Sequence, residues 1–299
     1  MFSEIEIKEI NLSIARIVVS VFCEADDWGI MLGKDAEGFI VNGAADIRLN
    51  VHRGLPPRME LGKEIFNSES NWSLYRHNTG WVFSFRAVVT GPEPYAVAVI
   101  NEDFSRGDIY VRGPDALEFT SGGLPLLNPL EYPVDEVLML HLLARGRGVL
   151  FHSCGIDFRG KGILFIGVSG TGKSTTANIW GADKDATVLS DDRIIVRRPG
   201  RRFLMYGTPW HGDSRHCAQA EVPLEKVFFL KHAPENYIIP LNDINAVSRL
   251  LVCSFPTFWD KKGMEFTLDF CAEFVRHRPC FELGFLPDES VLDFVKSRI

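Results

Sequence analysis

The sequence contains no run of apolar residues long enough to cross a membrane, and its few cysteines form no cluster. The six cysteines are scattered and include no C-x-x-C pair, which excludes a zinc knuckle or a disulfide framework, so we expect reduced and mostly buried thiols. Glu4 and Glu6 lie where a signal peptide would be basic. We therefore expect a cytoplasmic protein with no membrane partner.

A strong charge of either sign is also missing. The net charge of −7 is modest and spread along the chain. A protein that binds nucleic acid mainly through charge is typically basic, so we expect no nucleic-acid partner. Internal repeats and low-complexity segments are absent as well. With 299 residues, 46% of them hydrophobic, the chain is long enough for two domains or one large α/β unit.

The most informative segment is 167–174, which reads Gly-Val-Ser-Gly-Thr-Gly-Lys-Ser and matches the phosphate-binding P-loop pattern completely. It lies between an apolar, strand-like run and a plausible helix, as that loop requires. Glycines let backbone amide groups face a phosphate, Lys173 adds a charge for the β- and γ-phosphates, and the Ser174 hydroxyl can bind Mg²⁺. The predicted nucleotide-binding residues are Gly167, Ser169, Gly170, Thr171, Gly172, Lys173, Ser174 and Thr175. We expect ATP and Mg²⁺ as cofactors.

The pattern of the sequence changes near residue 120. Short alternating runs at 81–85, 95–100 and 108–111, separated by turn residues, predict a meandering antiparallel sheet in the first third. The segment 122–129 is rich in glycine and proline and is expected to be a linker. The sequence thus predicts a smaller β-rich domain over 1–125 and a P-loop domain over 126–299.

The second domain is predicted to be mixed α/β. A helix is expected near 134–144, followed by a hairpin of 155–158 with 162–165 that leads into the P-loop. The link 197–202 is too short for a crossover and must be a hairpin, so the sheet should be mixed. The remaining predicted strands are 187–190, 194–196, 203–206 and 227–230, and the remaining helices are about 242–254, 263–276 and 288–298.

Two adjacent carboxylates, Asp191 and Asp192, follow the apolar strand around Val188. Ligands bind at the carboxyl ends of strands in such folds, so the pair is expected beside the phosphates. Phosphoryl transfer needs one carboxylate that holds Mg²⁺ and profits from another that accepts the proton of the attacking hydroxyl. An acidic turn after a strand is the simpler alternative.

His152 and the loop 207–215 are the other candidates. His152 lies on a segment expected to run beside the P-loop strand, where its imidazole could contact Asp192 or the γ-phosphate, although a lone histidine after apolar residues is more often a core residue. The loop 207–215 carries Trp210, His211 and Arg215 directly after a strand and suits a mobile flap over a substrate or nucleotide, with a merely structural loop as the alternative. Arg215 could neutralise phosphate charge there.

The order and spacing of His152, Gly155, the segment 162–174 and the segment 188–192 resemble the catalytic domain of HPr kinase/phosphorylase. The phosphate and metal site also resembles that of ATP-dependent phosphoenolpyruvate carboxykinase. The resemblance covers about 150–230 and implies a P-loop kinase fold of this type. It implies that Asp191 is the base, that Ser174 and Asp192 hold the metal, and that His152 completes the site, while the division between the two aspartates stays open.

The chain lacks the Arg-Gly-Leu-Gly-Ile and Pro-Gly-Arg-Asn segments of that family, so HPr is not the expected substrate. The segment 206–215 instead resembles a stand-alone subgroup of HPr-kinase-like proteins found with peptide-modification systems. We expect an ATP-dependent kinase that phosphorylates a serine hydroxyl of a peptide, protein or small molecule, with Asp191, His152, Lys173 and Arg215 as catalytic residues. A nucleotide sensor without phosphoryl transfer is the alternative. The resemblance also allows a homo-oligomer.

Overall fold

The computed structural model describes residues 8–24, 28–56, 61–88, 91, 93–112, 118–119 and 125–298. Glu4, Glu6 and the glycine-rich part of the predicted linker, 122–124, lie outside these residues. The chain divides into two compact units, Met1–Leu138 and Met139–Ile299. Within the described ranges, none of the helices combines the length and the apolar character that crossing a membrane requires.

The first unit is β-rich, as predicted. Alternate residues of its strands are buried, for example Ile47, Leu49 and Val51, because successive side chains of a strand point to opposite faces of the sheet. The strands are β1 (Glu9–Ile14), β2 (Ile17–Phe22), β3 (Gly29–Ile30), β4 (Ile47–Arg53), β5 (Lys63–Asn67), β6 (Trp72–His77), β7 (Gly80–Phe85), β8 (Ala96–Asn101), β9 (Arg106–Val111), β10 (Glu118–Phe119) and β11 (Pro125–Leu127).

The main sheet of this unit has the strand order β1-β2-β4-β9-β8-β7-β6-β5. Strands β5 to β9 form the expected antiparallel meander. The expectation of an entirely antiparallel sheet is wrong, however, because β4 pairs in parallel with both β2 and β9. Parallel neighbours need long connections, and the chain supplies them here: a 3₁₀ turn (Lys34–Phe39) lies between β2 and β4, and four strands lie between β4 and β9.

The predicted linker is only partly irregular. Its residues Pro125–Leu127 form β11, which pairs with β10 and β3 in a small sheet of the first unit. Glu131 and Asp135 lie close enough to Tyr95 to add to the effect of burial in raising the pKa of its hydroxyl. The division between the two compact units falls inside α1 (Val134–Leu143), and the segment before this helix belongs to the first unit.

The second unit is mixed α/β, with a mixed eight-stranded sheet. The predicted strands and helices are all present, but the strands predicted at 155–158 and 227–230 already begin at 149 and 221, and the strands at 237–240 and 280–285 were not predicted. The strands are β12 (Val149–Phe158), β13 (Lys161–Ile166), β14 (Ala186–Ser190), β15 (Arg193–Arg197), β16 (Leu204–Tyr206), β17 (Glu221–His232), β18 (Tyr237–Pro240) and β19 (Cys280–Phe285). The helices are α2 (Lys173–Gly181), α3 (Asp243–Val252), α4 (Lys261–His277) and α5 (Ser290–Lys296).

Helices cover both faces of the central strands. On one face α2 and α5 bury Trp180 and Val291 against Phe165 and Phe228. On the other face α3 and α4 pack residues such as Leu250 and Phe274 against a second apolar cluster, which includes Leu164 and Phe229. Strands buried on both faces read as continuous apolar runs, which explains the sequence of β13 and of the middle of β17.

Candidate active site around the P-loop

The strand β12 brings the candidate residues to one edge of the sheet. It runs antiparallel to β13 on one side and to β14 and β15 on the other, so the carboxyl ends of β13 and β14 lie beside the middle of β12, at Ser153 and Gly155. The P-loop begins after Ile166, whose partner is Ser153, and His152 pairs with Arg193. The sequence showed the order of these segments, and the antiparallel pairing explains why they meet.

The P-loop has the backbone geometry that its glycines allow. Gly170 and Gly172 have φ values of 80° and 101°, which other residues rarely adopt. A β-carbon at Gly167 would lie 2.1 Å from the Thr171 hydroxyl oxygen, so only glycine fits there. Gly172 precedes the first residue of α2 and supplies no side-chain cap, which leaves the first amide groups of the helix for another acceptor.

Lys173 lies along this loop. Its buried ammonium group donates hydrogen bonds to the carbonyl oxygens of Gly167, at 2.9 Å, and Val168, at 3.3 Å. Burial lowers the pKa of this amine, while the charge of Asp192 opposes the shift. Ser169 and Gly170, at the tip of the loop, are exposed, and Ser174 and Thr175 are partly exposed. The loop can therefore receive an anion from solvent, and the residues present fit a nucleotide phosphate.

Asp191 and Asp192 occupy a break between β14 and β15, which lie end to end along β12. Ser190 fixes this break: its hydroxyl oxygen accepts from the backbone N–H groups of Asp192 and Arg193 and donates to Trp210 O at 2.8 Å. An irregularity of this kind re-aims neighbouring side chains. The role of Ser190 was missed by the sequence reasoning, because it depends on contacts with a distant loop.

The two aspartates have different surroundings. Asp191 is only 1% exposed, and its Oδ1 and Oδ2 accept the backbone N–H groups of Gly212 at 2.9 Å and Ser214 at 3.0 Å. Asp192 is more accessible, and its Oδ1 lies 2.9 Å from His152 Nε2. The predicted contact between His152 and Asp192 is thus present, whereas Asp191 binds the following loop.

Arg193 and His152 hold Asp192 in its ionised form. Arg193 forms an ion pair with the carboxylate, and its guanidinium lies 4.4 Å from the centre of the Phe255 ring. Burial opposes ionisation, but the hydrogen bond from His152 and the charges of Arg193 and Lys173 together outweigh it and lower the pKa of Asp192. Arg193 was not singled out in the sequence, because its position after the two aspartates gave no signal of its own.

Burial and hydrogen bonds restrict the loop 207–215 more than is expected of a mobile flap. Its first half is buried, and the Thr208 hydroxyl donates to Arg193 O at 2.7 Å. The second half is more exposed, yet Ser214 Oγ donates to Ser174 O at 3.2 Å and so connects the loop to α2. A mobile flap can therefore comprise only the second half. Arg215 is exposed at this end, with φ of 55°, and its guanidinium forms no ion pair with the described residues.

No family model matches the chain, and neither does any curated protein. The chemistry of the site therefore has to be argued from its own residues. Among the described residues, no group of three or more His, Cys, Asp and Glu side chains is arranged to hold a metal ion. Mg²⁺ in nucleotide sites takes one or two protein oxygens together with phosphates and water, and Ser174 and Asp192 could supply those oxygens.

Proposed function

We propose that this chain is an ATP- and Mg²⁺-dependent kinase that transfers the γ-phosphate to a serine hydroxyl of a peptide, protein or small molecule. The observation that supports the proposal best is the convergence of Lys173 with the His152–Asp192 pair at one sheet edge, where Lys173 and Asp192 influence each other's pKa. A phosphate-binding loop alone serves many functions, but a carboxylate–imidazole pair beside its lysine suits transfer to a hydroxyl.

The P-loop residues would bind the phosphates through backbone amide groups and the N-terminus of α2. Lys173 would exchange its contacts with Gly167 and Val168 for the β- and γ-phosphates, and Ser174 with Asp192 would hold the metal. Bound Mg²⁺ would neutralise charge on the transferring phosphate. The exposed tip of the loop supports access by a second substrate.

The different surroundings of Asp191 and Asp192 suggest a different role for each residue. Asp192 and His152 form the accessible pair that faces Lys173, and His152 can take up or orient a proton there. Asp191 holds the loop 212–214 with both of its oxygens, so the base role expected for it requires that loop to release one oxygen. We therefore assign Asp191 a positioning role in the observed arrangement, and propose that Asp192 holds the metal and orients His152, which takes up the proton of the attacking hydroxyl.

The proposal is tested by following label from γ-labelled ATP–Mg²⁺ into serine peptides, small hydroxy compounds and cell extract. Wild type is compared with Lys173→Ala, Asp191→Asn and Asp192→Asn. Label that enters an acceptor only with an intact site supports a kinase, and the acceptor identifies the substrate class. Tight ATP binding without transfer to any acceptor would favour the nucleotide sensor instead.

A further inference from the structure

A cavity of about 280 Å³ lies beside the P-loop, between the ends of β13 and β17 and the last turns of α3. Most of its lining is apolar: Ile166, Val168, Phe229, Leu230, Val252 and Cys253. Gly167 and Thr171 of the P-loop, together with Ser248 and Arg249, form the rest of the wall. Glu282 accepts a hydrogen bond from the Arg249 guanidinium at 2.7 Å. The volume is below the range of pockets that enclose whole ligands, so it suits one bulky side chain.

The cavity adjoins the end of the P-loop at which phosphate would be transferred. Gly167 and Val168 line it, and the Lys173 ammonium is bonded to the carbonyl oxygens of these same residues. On the other side, Cys253 O accepts the backbone N–H of His152 at 2.7 Å. One wall residue, Cys253, is therefore bonded to the strand that carries His152, the partner of Asp192. A nucleobase, at the opposite end of the nucleotide from the γ-phosphate, would lie away from these groups.

The mouth of the cavity is apolar as well. The side chains of Val168 and Val252 flank it and are 50% and 72% exposed. Apolar surface next to an apolar cavity favours a ligand that buries both. Because the mouth is open, a longer chain can place one side chain in the cavity and continue along the surface.

We propose that this cavity binds a bulky apolar side chain of an acceptor peptide, close in sequence to the serine that receives the phosphate. The proposal rests on the kinase function above and adds the substrate class: peptides with leucine, isoleucine, methionine or phenylalanine near the acceptor serine. The cavity thereby selects the acceptor and orients its hydroxyl toward the transferring phosphate.

The test uses the full chain, ATP–Mg²⁺ and short synthetic peptides with one central serine, in which each flanking position is alanine, leucine, phenylalanine or aspartate. We expect leucine or phenylalanine at one flanking position to raise kcat/KM at least about tenfold over alanine. Val252→Trp should abolish this preference and leave the KM for ATP unchanged. Ile244→Trp is the matched control, because Ile244 is an exposed residue of the same helix, outside the cavity, and should keep the preference.

Several outcomes would overturn the proposal. Active wild type without any flanking preference, or equal behaviour of the two tryptophan variants, would show that the cavity does not select the acceptor. A raised KM for ATP in Val252→Trp would assign the cavity to the nucleotide. Transfer to small hydroxy compounds but to no peptide would leave the kinase function intact and exclude a peptide acceptor. Transfer to no acceptor at all would refute the proposed function and, with it, this proposal.

Discussion

His152 and Asp192 meet at the break between β14 and β15, with Nε2 of the histidine 2.9 Å from Oδ1 of the aspartate. The two side chains are about a quarter exposed, at 26% and 24%, so they can reach a bound substrate. The backbone N–H of Ser153, on β12, donates to Asp192 O at 3.0 Å. This bond holds the break between β14 and β15 against β12. The backbone of the sheet therefore fixes the contact between His152 and Asp192, and the partial exposure of both side chains leaves them accessible to a substrate.

Replacing His152 should separate chemistry from nucleotide binding. We expect His152→Ala to lower the rate of phosphoryl transfer about a hundredfold, the order typical for loss of a group that moves or orients a proton. The Kd for ATP should change little, since the P-loop contacts do not involve this side chain. Single-turnover transfer and ATP titration would measure the two effects. His277→Ala, an exposed histidine at the end of α4, is the control, and an equal loss in that variant would contradict the assignment.

The two aspartates should give different signatures when changed to asparagine. In Asp191→Asn the amide nitrogen cannot accept, so one of the bonds from Gly212 and Ser214 is lost, and we expect the free energy of unfolding to fall by about 1–3 kcal/mol. In Asp192→Asn the fold should be less affected, but the Mg²⁺ concentration for half-maximal transfer should rise about tenfold because a charged metal ligand is lost. Chemical denaturation and magnesium titration would distinguish them.

Other results for these two variants would change the roles assigned to Asp191 and Asp192. If Asp191→Asn folds like wild type and abolishes transfer at saturating Mg²⁺, then Asp191 is the base and the loop 212–214 must open during the reaction. If Asp192→Asn keeps both its activity and its magnesium dependence, the carboxylate has no part in the site. Either result can be read without knowing the natural acceptor, because a surrogate peptide is sufficient.

The sequence predicted most of the second unit because its signals are local. The glycines of the P-loop, the apolar run before it and the short link 197–202 each specify nearby backbone geometry. The pairing of β4 with β2 and β9 could not be predicted in this way, because parallel partners far apart in the chain leave no local pattern. The alternating runs at 81–85, 95–100 and 108–111 form the predicted antiparallel meander, and in the main sheet the expectation fails only where β4 adds parallel pairings.

In the candidate site, too, local features could be predicted from the sequence and contacts between distant segments could not. The positions of Lys173 and of the aspartate pair followed from the motifs, and the contact of His152 with Asp192 followed from the expected neighbouring strands. The binding of Asp191 by the loop 212–214, and the ion pair of Arg193, depend on tertiary packing that spacing does not encode. Arg215 was singled out in the sequence, yet Arg193 is the arginine that forms the ion pair with Asp192.

Gly207 should be essential for the loop that holds Asp191. A β-carbon there would lie 2.0 Å from Ala218 O and 2.8 Å from Leu189 O, and backbone atoms cannot move aside by a change of rotamer. We expect Gly207→Ala to lower the free energy of unfolding by about 2–3 kcal/mol. Gly43→Ala, where a β-carbon meets open space, is the control in the same denaturation experiment. Equal stability of the two variants would mean that the loop shifts without cost.

Glu282 should make a pH-dependent contribution to stability. Its carboxylate is largely buried on β19 and accepts from Arg249 and from the Tyr237 hydroxyl at 3.1 Å. The hydrogen bond from Arg249 has the largest effect and, against the opposing effect of burial, the pKa of Glu282 lies below its ordinary value of 4.5. A carboxyl whose pKa is lower in the folded state stabilises the fold when it is ionised. We therefore expect Glu282→Gln to be destabilised by about 1 kcal/mol at neutral pH, a modest value because Arg249 is partly exposed.

The sign of the pH dependence makes this prediction specific. The difference between wild type and Glu282→Gln should be constant above the ordinary pKa of 4.5 and should shrink as the pH falls through the lower pKa of the folded state, because Glu282 is then protonated in both states. Urea denaturation from about pH 7 to pH 3.5 would measure it. Glu265→Gln is the matched control, since Glu265 is exposed and its pair with Lys261 is long, at 3.7 Å. A difference that grows on acidification, or that Glu265→Gln reproduces, would show that Glu282 does not stabilise the fold through its ionised carboxylate.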